Sequence, residues 1–386
     1  MKVALSVIGK FHTFDLAREL HAHGVLAGVL TGYPRFKLRA ERLPDTSIHT
    51  FPWVMGPYMA NPIKSRMPRS WIREWENLAA TSFAQWTAHA LPECDVFVGL
   101  SGSALKAGQV QQARGGRYVC DRGSSHIRMQ EALLREEHRT WGMPFDGIDH
   151  RAIEREEAEY AQADCITVPS TFAWQSFVDQ GVAPDKMRLL PYGVNLSRFA
   201  PCDAPDPARF DVLFVGAMTL QKGVPYLLQA FNALRHPSKS LTFAGTISPQ
   251  VIERMKALGL WSDAIQLLGH VPQPELKRWM SKSHVLVLPS VQEGFGMVMA
   301  QAMACGCPVI ASENTGAHDL FDDGTEGFIV PIRDAQSLAD RLQRLADEPD
   351  LRARMGANAL DRVSRMGGWR DYGQRALSTY RALVNP

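Results

Sequence analysis

The chain has 386 residues, 45% of them apolar and 21% charged, with a formal net charge of +2 at pH 7. That length exceeds one ordinary hydrophobic core and sets two domains as the expectation, and the apolar share carries no signature of disorder. So small a net charge argues against a nucleic-acid binder, which carries a strong basic excess.

MKVALSVIGKF has a short apolar run between Lys2 and Lys10 and no small-residue cleavage site, so it reads as a first strand rather than a signal peptide. No run approaches the ~18 apolar residues of a membrane span. VALSVI (3–8), a helical spacing from Phe11 to His23 and VLAGVLT (25–31) open a parallel sheet as strand, helix, strand. Only one glycine, Gly9, marks the first turn, so the G-x-G-x-x-G dinucleotide fingerprint is absent and a nicotinamide-dependent enzyme loses its support.

Residues 33–73 are less regular and hold eight Lys/Arg against two acids. Phe36, Phe51, Trp53 and Tyr58 are interleaved with this charge. The stretch reads either as a patch for an anionic membrane surface or acceptor, or as a solvated loop region. Trp71, Trp75, Leu78, Ser82 and Trp86 then recur at helical spacing, which assigns these tryptophans to a core face rather than to lipid.

CDVFVGL (94–100), a helix over 103–114 and RYVCD (117–121) repeat the unit. DRGSSHIRMQ follows, placing Asp121, Arg122 and His126 at the C-terminal edge of a strand, where open α/β sheets form their ligand crevice. A histidine in such a loop is either an ordinary surface residue or a functional one. A charged helix over 149–163, strand CITVP, helix STFAWQSFVDQG and strand MRLLP complete the first half.

Tyr192 to Arg209 is proline-rich with little periodicity and reads as a linker. The alternation then restarts with DVLFVG (211–216), helix 224–235, SLTFAG (240–245), helix 249–259, AIQLLG (264–269), helix 273–282 and HVLVLP (284–289). PSVQEGFGMVMAQAMACGCPVIA (289–311) runs from a strand end through the turn EGFG into a helix and on to another strand. GFIVP (327–331), helices over 334–366 and an amphipathic helix from Trp369 close the chain. The expectation is two doubly wound α/β domains, 1–191 and 210–367, joined by a linker at 192–209, with a terminal helix at 368–386.

The chemistry concentrates at EGFG. A strand end, a glycine turn and a helix N-terminus bring backbone N–H groups and the positive end of a helix dipole to one point, which is an anion site. The Glu293 carboxylate stands beside it to accept from hydroxyls. Lys222, in the QKG loop of the same sheet edge, can meet a diphosphate there and stabilise the charge that develops as a glycosyl bond breaks; in isolation it would read as a surface lysine. Polyol plus diphosphate suggests a sugar nucleotide. The six cysteines include no C-x-x-C pair and no Cys/His spacing suited to zinc, and read as mostly buried, reduced thiols in a cytosolic protein.

These stretches, in this order, resemble the retaining GT-B glycosyltransferases of family 4 (group 1). EGFGMVMAQAMACGCPVIAS is similar to the family's E-x7-E followed by small-Gly-x-Pro-V-I, and FVGAMTLQKG to its strand and Lys-Gly loop. ADCITVPSTF, LLPYGVNLSRFAP and DGTEGFIVPIRD match as well. The resemblance implies two Rossmann-like doubly wound domains facing a central cleft, with the terminal helix crossing back to the first. Carried over, Glu293 holds a hydroxyl of the donor sugar, and the segment Gly294, Phe295, Gly296 and Met297 binds sugar and phosphate through its amides. Lys222 neutralises the diphosphate, His270 and Val271 flank the nucleobase, Gly9 faces the phosphates and His126 is the active-site histidine.

The implied donor is a nucleoside diphosphate sugar and the implied acceptor a glycan or lipid-linked molecule, handled with retention and without a cofactor or metal. The leaving phosphate would help to deprotonate the acceptor. The implied place is the cytoplasm, peripheral on the inner face of the membrane. Three positions depart from the pattern: Gln301 replaces the second acid that holds the ribose hydroxyls, Ala217 stands where an arginine is frequent, and Asn195 replaces an aspartate. They keep open the reading of a catalytically silent binding subunit; a nucleotide-sugar epimerase on a similar fold is a third.

Overall fold

The computed structural model describes residues 1–63, 67–195 and 198–385. Lys64 and Arg66 of the basic stretch, and Leu196 and Ser197 of the expected linker, lie outside the described residues. Two all-parallel sheets carry the architecture. The first has strands β1 (Val3–Val7), β2 (Leu26–Thr31), β3 (Ile48–Thr50), β4 (Val96–Leu100), β5 (Arg117–Asp121), β6 (Cys165–Val168) and β7 (Met187–Leu189). The second has β8 (Phe210–Val215), β9 (Lys239–Ala244), β10 (Ile265–Gly269), β11 (Val285–Leu288), β12 (Val309–Ser312) and β13 (Gly327–Val330).

The spatial order of the first sheet is β3-β2-β1-β4-β5-β6-β7, and of the second β10-β9-β8-β11-β12-β13. Both reverse direction once, between β1 and β4 and between β8 and β11. Doubly wound sheets bind ligands at this reversal, beyond the carboxyl ends of the strands.

The strands read as apolar runs because helices cover both faces of each sheet. Val3, Leu5 and Val7 of β1 face one core, which they share with Phe14 and Leu20 of the following helix, whereas Ala4 joins Phe97, Tyr118 and Ile166 on the other face. The second sheet alternates likewise, Phe210, Val212 and Phe214 to one side and Leu213 to the other.

The last helix, Gly368–Val384, packs on the helix Thr13–Ala22 of the first domain. Tyr372, Ala376, Leu377 and Tyr380 are buried in that contact. Gly373 permits the close approach, since a Cβ there would lie 2.4 Å from Glu19 Cβ. Arg375 Nη2 donates to the Pro191 carbonyl at 2.8 Å, and Arg117 Nε donates to the Leu383 carbonyl at 3.0 Å.

Two expectations are corrected, and that of mostly buried cysteines holds with one exception. The linker is not loose throughout: Tyr192, Val194 and Phe199 are buried in the core that the domains share. The tryptophan stripe is only partly core. Trp86 stacks on Phe51 and Trp75 Nε1 donates to the Val54 carbonyl at 3.2 Å, but Trp71 is 67% exposed. The helix Arg69–Ala90 turns Ala79, Ala80, Phe83 and Ala84 inward, so its tryptophans lie beside that face, over chain that follows β3. Cys202 is exposed, although the other free cysteines are buried or half-buried. No described helix is long and apolar enough to cross a membrane.

Candidate functional site

A cleft of about 1300 Å³ opens between the carboxyl ends of the two sheets. Every strand end at the two reversals contributes. Ile8, Lys10, Phe11 and His12 come from the loop after β1, Leu100 and Ser101 from the end of β4, and Arg122 to Ser124 from the end of β5. Across from them stand Val215 and Gly216 after β8, then Lys222, and Glu293 with Phe295 to Val298 after β11. Tyr192, Asn195 and Arg198 of the connecting segment complete the wall.

Lys222 and Glu293 meet. The lysine ammonium is ion-paired with the glutamate carboxylate, whose other oxygen accepts from the Gly294 N–H at 3.2 Å. Burial pushes the Lys222 ammonium down to about 8, a direction the adjoining carboxylate opposes. Backbone geometry makes the meeting possible. Gly223 has φ +69°, and a Cβ on it would lie 1.8 Å from the Pro289 carbonyl oxygen, so only glycine lets this loop lie against the chain entering EGFG. Gly296, at φ 83°, is the left-handed cap of the helix Met297–Ala304, whose first N–H groups face the cleft end of that turn.

Of the other expected residues, Phe295, Gly296 and Met297 line the cleft. Gly294 serves the domain contact instead: a Cβ on it would lie 1.9 Å from the Gly123 carbonyl oxygen, and its own carbonyl accepts from Ser170 Oγ at 2.6 Å. Gln292 Nε2 reaches Ser124 Oγ at 2.6 Å and Ser125 Oγ at 2.9 Å across the same seam. Gly9 lies between lining residues Ile8 and Lys10, its carbonyl accepting from Thr31 Oγ1 at 3.0 Å. His270 and Val271 follow β10, beside the lining residue Gln273. Gln301 is half-buried within the helix Met297–Ala304 and is not among the lining residues.

His126 is not where the sequence reading put it. It caps the helix Ile127–Thr140, with Nδ1 accepting from the Arg128 N–H at 3.2 Å. Its ring packs against Tyr160 and Phe177 with 4% of the residue exposed, away from the cleft-lining set. The chain leaves the cleft at Gly123 and Ser124 and has entered the domain interior by residue 126. The histidine that lines the cleft is His12, which the sequence reading passed over. Its Nε2 lies 2.6 Å from Asp121 Oδ2, and its ring stacks on Tyr192 with centroids 4.2 Å apart. Asp121 is fixed in turn by Thr167 Oγ1, which donates to Oδ1 at 2.8 Å. A position three residues past the Gly9 turn, at the carboxyl end of β1, was the available signal.

Two glutamates of the helix His150–Gln162 also bear on the site. Glu159 is fully buried and accepts from the N–H groups of Gly102 and Ala104 at 2.5 and 2.6 Å, holding the loop behind Ser101. Burial raises its carboxyl to about 7. Glu156 pairs with Arg122 at 2.7 Å and fixes that guanidinium at the cleft wall. Among the described residues, no group of three or more His, Cys, Asp or Glu side chains is placed to hold a metal ion.

Comparison with known proteins places these features in a family. Residues 204–362 match the model of glycosyl transferases group 1. The chain is 30% identical over 303 residues to a D-inositol 3-phosphate glycosyltransferase of Frankia alni, covering 68% of this chain and 74% of that protein. With other proteins of that name the match spans about half of their length. Among solved structures, the sucrose-phosphate synthase of Thermosynechococcus elongatus superposes with a TM-score of 0.74 at 24% identity, covering 100% of this chain and 99% of that one. HepE of Anabaena, solved with UDP and glucose, gives 0.70 at 16% identity over 99% and 100%. At these identities the likeness to solved structures speaks for the two-domain fold.

Proposed function

Because the chain belongs to the glycosyl transferases of group 1, we propose that it moves a sugar from a nucleoside diphosphate sugar onto a hydroxyl of a glycan or lipid-linked acceptor, with retention of configuration. The observation that carries this reading is the Lys222–Glu293 pair at a helix N-terminus. An ammonium and N–H groups for a diphosphate, next to a carboxylate for sugar hydroxyls, match the two halves of such a donor. On binding, the lysine exchanges its carboxylate for the diphosphate, and Glu293 turns to the sugar. The bond from the sugar C1 to the phosphate oxygen breaks as the bond to the acceptor oxygen forms on the same face. The acceptor proton leaves with the diphosphate, whose growing charge Lys222 offsets. His12, oriented by Asp121, offers a ring nitrogen on the opposite wall. No metal or cofactor enters this scheme.

The test is transfer itself. UDP-sugars are the first donors to try, given the UDP in the HepE structure, and an inositol phosphate the first acceptor, given the name of the curated relatives. Lys222→Ala and Glu293→Ala should abolish transfer with the fold intact, and chelation of divalent ions should leave the wild type active. Full activity in both variants, or an inverted product by NMR of the anomeric proton, would overturn the assignment. Donor bound but never consumed would mean a silent binding subunit, and donor converted without acceptor an epimerase.

The same reading includes peripheral attachment to an anionic cytoplasmic bilayer. Trp53 and Trp71 are 75% and 67% exposed, and Ile63, Met67, Trp71 and Trp75 line an apolar groove. Trp75 Nε1 donates to the Val54 carbonyl, which places the groove beside the chain that follows β3. Exposed Lys37 and Arg39 of the same basic stretch supply the complementary charge. Flotation with phosphatidylglycerol vesicles should recover the protein, and Trp53→Ser with Trp71→Ser should release it. Equal recovery with phosphatidylcholine alone would refute the charge argument.

A further inference from the structure

A second contact between the domains is made by the helix Ile127–Thr140 and the turn after it, apart from the cleft-lining residues. Both belong to the first domain and are anchored there. Arg128 pairs with Glu157 of the helix His150–Gln162, and Arg73 Nη2 donates to the Gly147 carbonyl at 2.7 Å. The far end of this arm is nevertheless seated in the second domain. Trp141 is buried in that domain's core, edge-on to Tyr226 with ring centroids 5.4 Å apart. Its Nε1 donates to the Tyr226 hydroxyl at 3.3 Å, and its carbonyl accepts from Arg254 Nε at 2.6 Å.

One turn earlier in the helix, the Glu137 carboxylate is fully buried. It accepts from the Tyr226 hydroxyl at 3.0 Å and pairs with Arg333, which also holds Glu136 at 2.8 Å. A carboxylate withdrawn from water needs such partners, and Glu137 takes both from the other domain. The backbone at Arg333 bears on the same point. It is held at φ 63°, a left-handed conformation that glycine adopts without strain. An arginine stands there, and its guanidinium is the cation of the buried pair.

The arm and the linker grip opposite faces of the second sheet. Tyr192 and Val194 of the linker, with Tyr372 of the last helix, share the core that holds Leu213 of β8. Trp141 shares the core that holds Val212 and Phe214, whose side chains leave the same strand on its other side. A rotation of the second domain about its linker has to draw Trp141 out of this core and part Glu137 from Arg333.

We propose that the arm is a latch. It holds the two domains closed before any ligand binds, and its release from Arg333 and Tyr226 sets how fast the cleft opens. In the transferase proposed above, on which this second role rests, opening is the step that lets the spent nucleoside diphosphate leave. Because the closed arrangement exists in advance, the donor's binding energy is not consumed in forming it.

Small-angle scattering and stopped-flow ligand release on the full chain test the latch. The wild type should have the same radius of gyration with and without UDP. Arg333→Gly relieves the left-handed backbone but leaves Glu137 unpaired until water reaches it. It should enlarge the ligand-free radius, and both weaken UDP and speed its release about tenfold, as the closed form falls to about a tenth of the population. Trp141→Ala, which removes the apolar anchor, should act alike, and Glu137→Gln, which keeps an acceptor for Tyr226, in the same direction but less. Saturating UDP should return each variant to the wild-type radius. A contact that only adds stability would lower the unfolding temperature of these variants and leave radius and release unchanged. That result would overturn the proposal, as would a wild-type radius that shrinks when UDP is added. Where UDP does not bind, GDP, ADP and dTDP are the next probes. If none binds, the transferase reading falls, and the ligand-free radii of the variants still decide the latch.

Discussion

Lys222 and Glu293 are ion-paired within the cleft although 71 residues separate them in the chain. In the transferase proposed above, the pair is the resting form of the donor site, each member satisfying the other until a diphosphate and a sugar replace both. Breaking it takes part of the donor's binding energy. Glu293→Gln should therefore tighten the binding of a bare nucleoside diphosphate by roughly threefold to tenfold, while removing the advantage of the intact sugar nucleotide over it. Lys222→Ala should weaken both by about 100-fold, or ~2.7 kcal/mol, since it leaves a carboxylate facing the phosphates. Calorimetry with UDP, GDP, ADP and dTDP and their sugars measures each. Unchanged affinities in Glu293→Gln would show that the pair does not gate the site.

The depressed Lys222 ammonium gives a pH signature. It is charged below about 8 and loses its proton as the pH rises through that value. Affinity for a nucleoside diphosphate should be level up to pH 7 and then fall, with its midpoint above 8 in the complex because the bound diphosphate favours the charged form. Lys222→Arg, charged throughout, should flatten the profile to pH 10. A wild-type profile that stays flat to pH 10 would mean that another cation holds the diphosphate.

Much of this was legible in the chain. Strands buried on both faces read as apolar runs, and RYVCD coincides with β5. The elements that escaped have local reasons. β3 has three residues, Ile48–Thr50, two of them polar, and the Ser/Gly run before His126 hid the helix Ile127–Thr140. Glu156 and Glu159 looked like an exposed charged face because their partners, Arg122 and the N–H groups of Gly102 and Ala104, are remote in sequence. EGFG and QKG were readable because a glycine turn before a helix has few other uses. The exchange of His126 for His12 was not, because which side of a strand end faces a cleft depends on how the domains meet.

That meeting depends on Gly294. It presses on the Gly123 backbone, so that a Cβ would lie 1.9 Å from a carbonyl oxygen, and a main-chain atom cannot swing aside as a side chain does. Gly294→Ala should force the two domains apart at this seam and break the Ser170 and Gln292 hydrogen bonds across it. Transfer should fall tenfold or more, with the radius of gyration by small-angle scattering increased and each domain still folded by circular dichroism. Wild-type activity and dimensions in Gly294→Ala would show that the seam yields without cost.

Two buried histidines should make acid destabilising before the ordinary carboxylates titrate, against an opposing gain from Glu159, whose buried carboxyl takes up its proton as the pH falls through about 7. His284 is fully buried, and its Nδ1 accepts from the Asp211 N–H at 2.9 Å; His126 accepts from the Arg128 N–H in the same way. Each ring nitrogen must stay unprotonated to accept, and burial lowers both imidazoles to about 4. The unfolded chain, with imidazoles near their ordinary value of about 6.5, takes up protons between roughly pH 6.5 and 4 that the folded chain refuses. The histidines' contribution to stability is therefore complete above pH 6.5 and falls as the pH drops toward 4, by on the order of 1–2 kcal/mol for each histidine. Urea unfolding from pH 7.5 to 4.5 measures the slope. His126→Asn with His284→Asn supplies an amide oxygen as acceptor without a titrating proton. The double variant should start less stable at pH 7.5, from lost packing, but lose less on acidification. His126→Asn should also retain transfer activity, because its ring lies in the domain interior, whereas His12→Ala should lose it. A slope unchanged by the double substitution would assign the acid sensitivity to carboxylates instead.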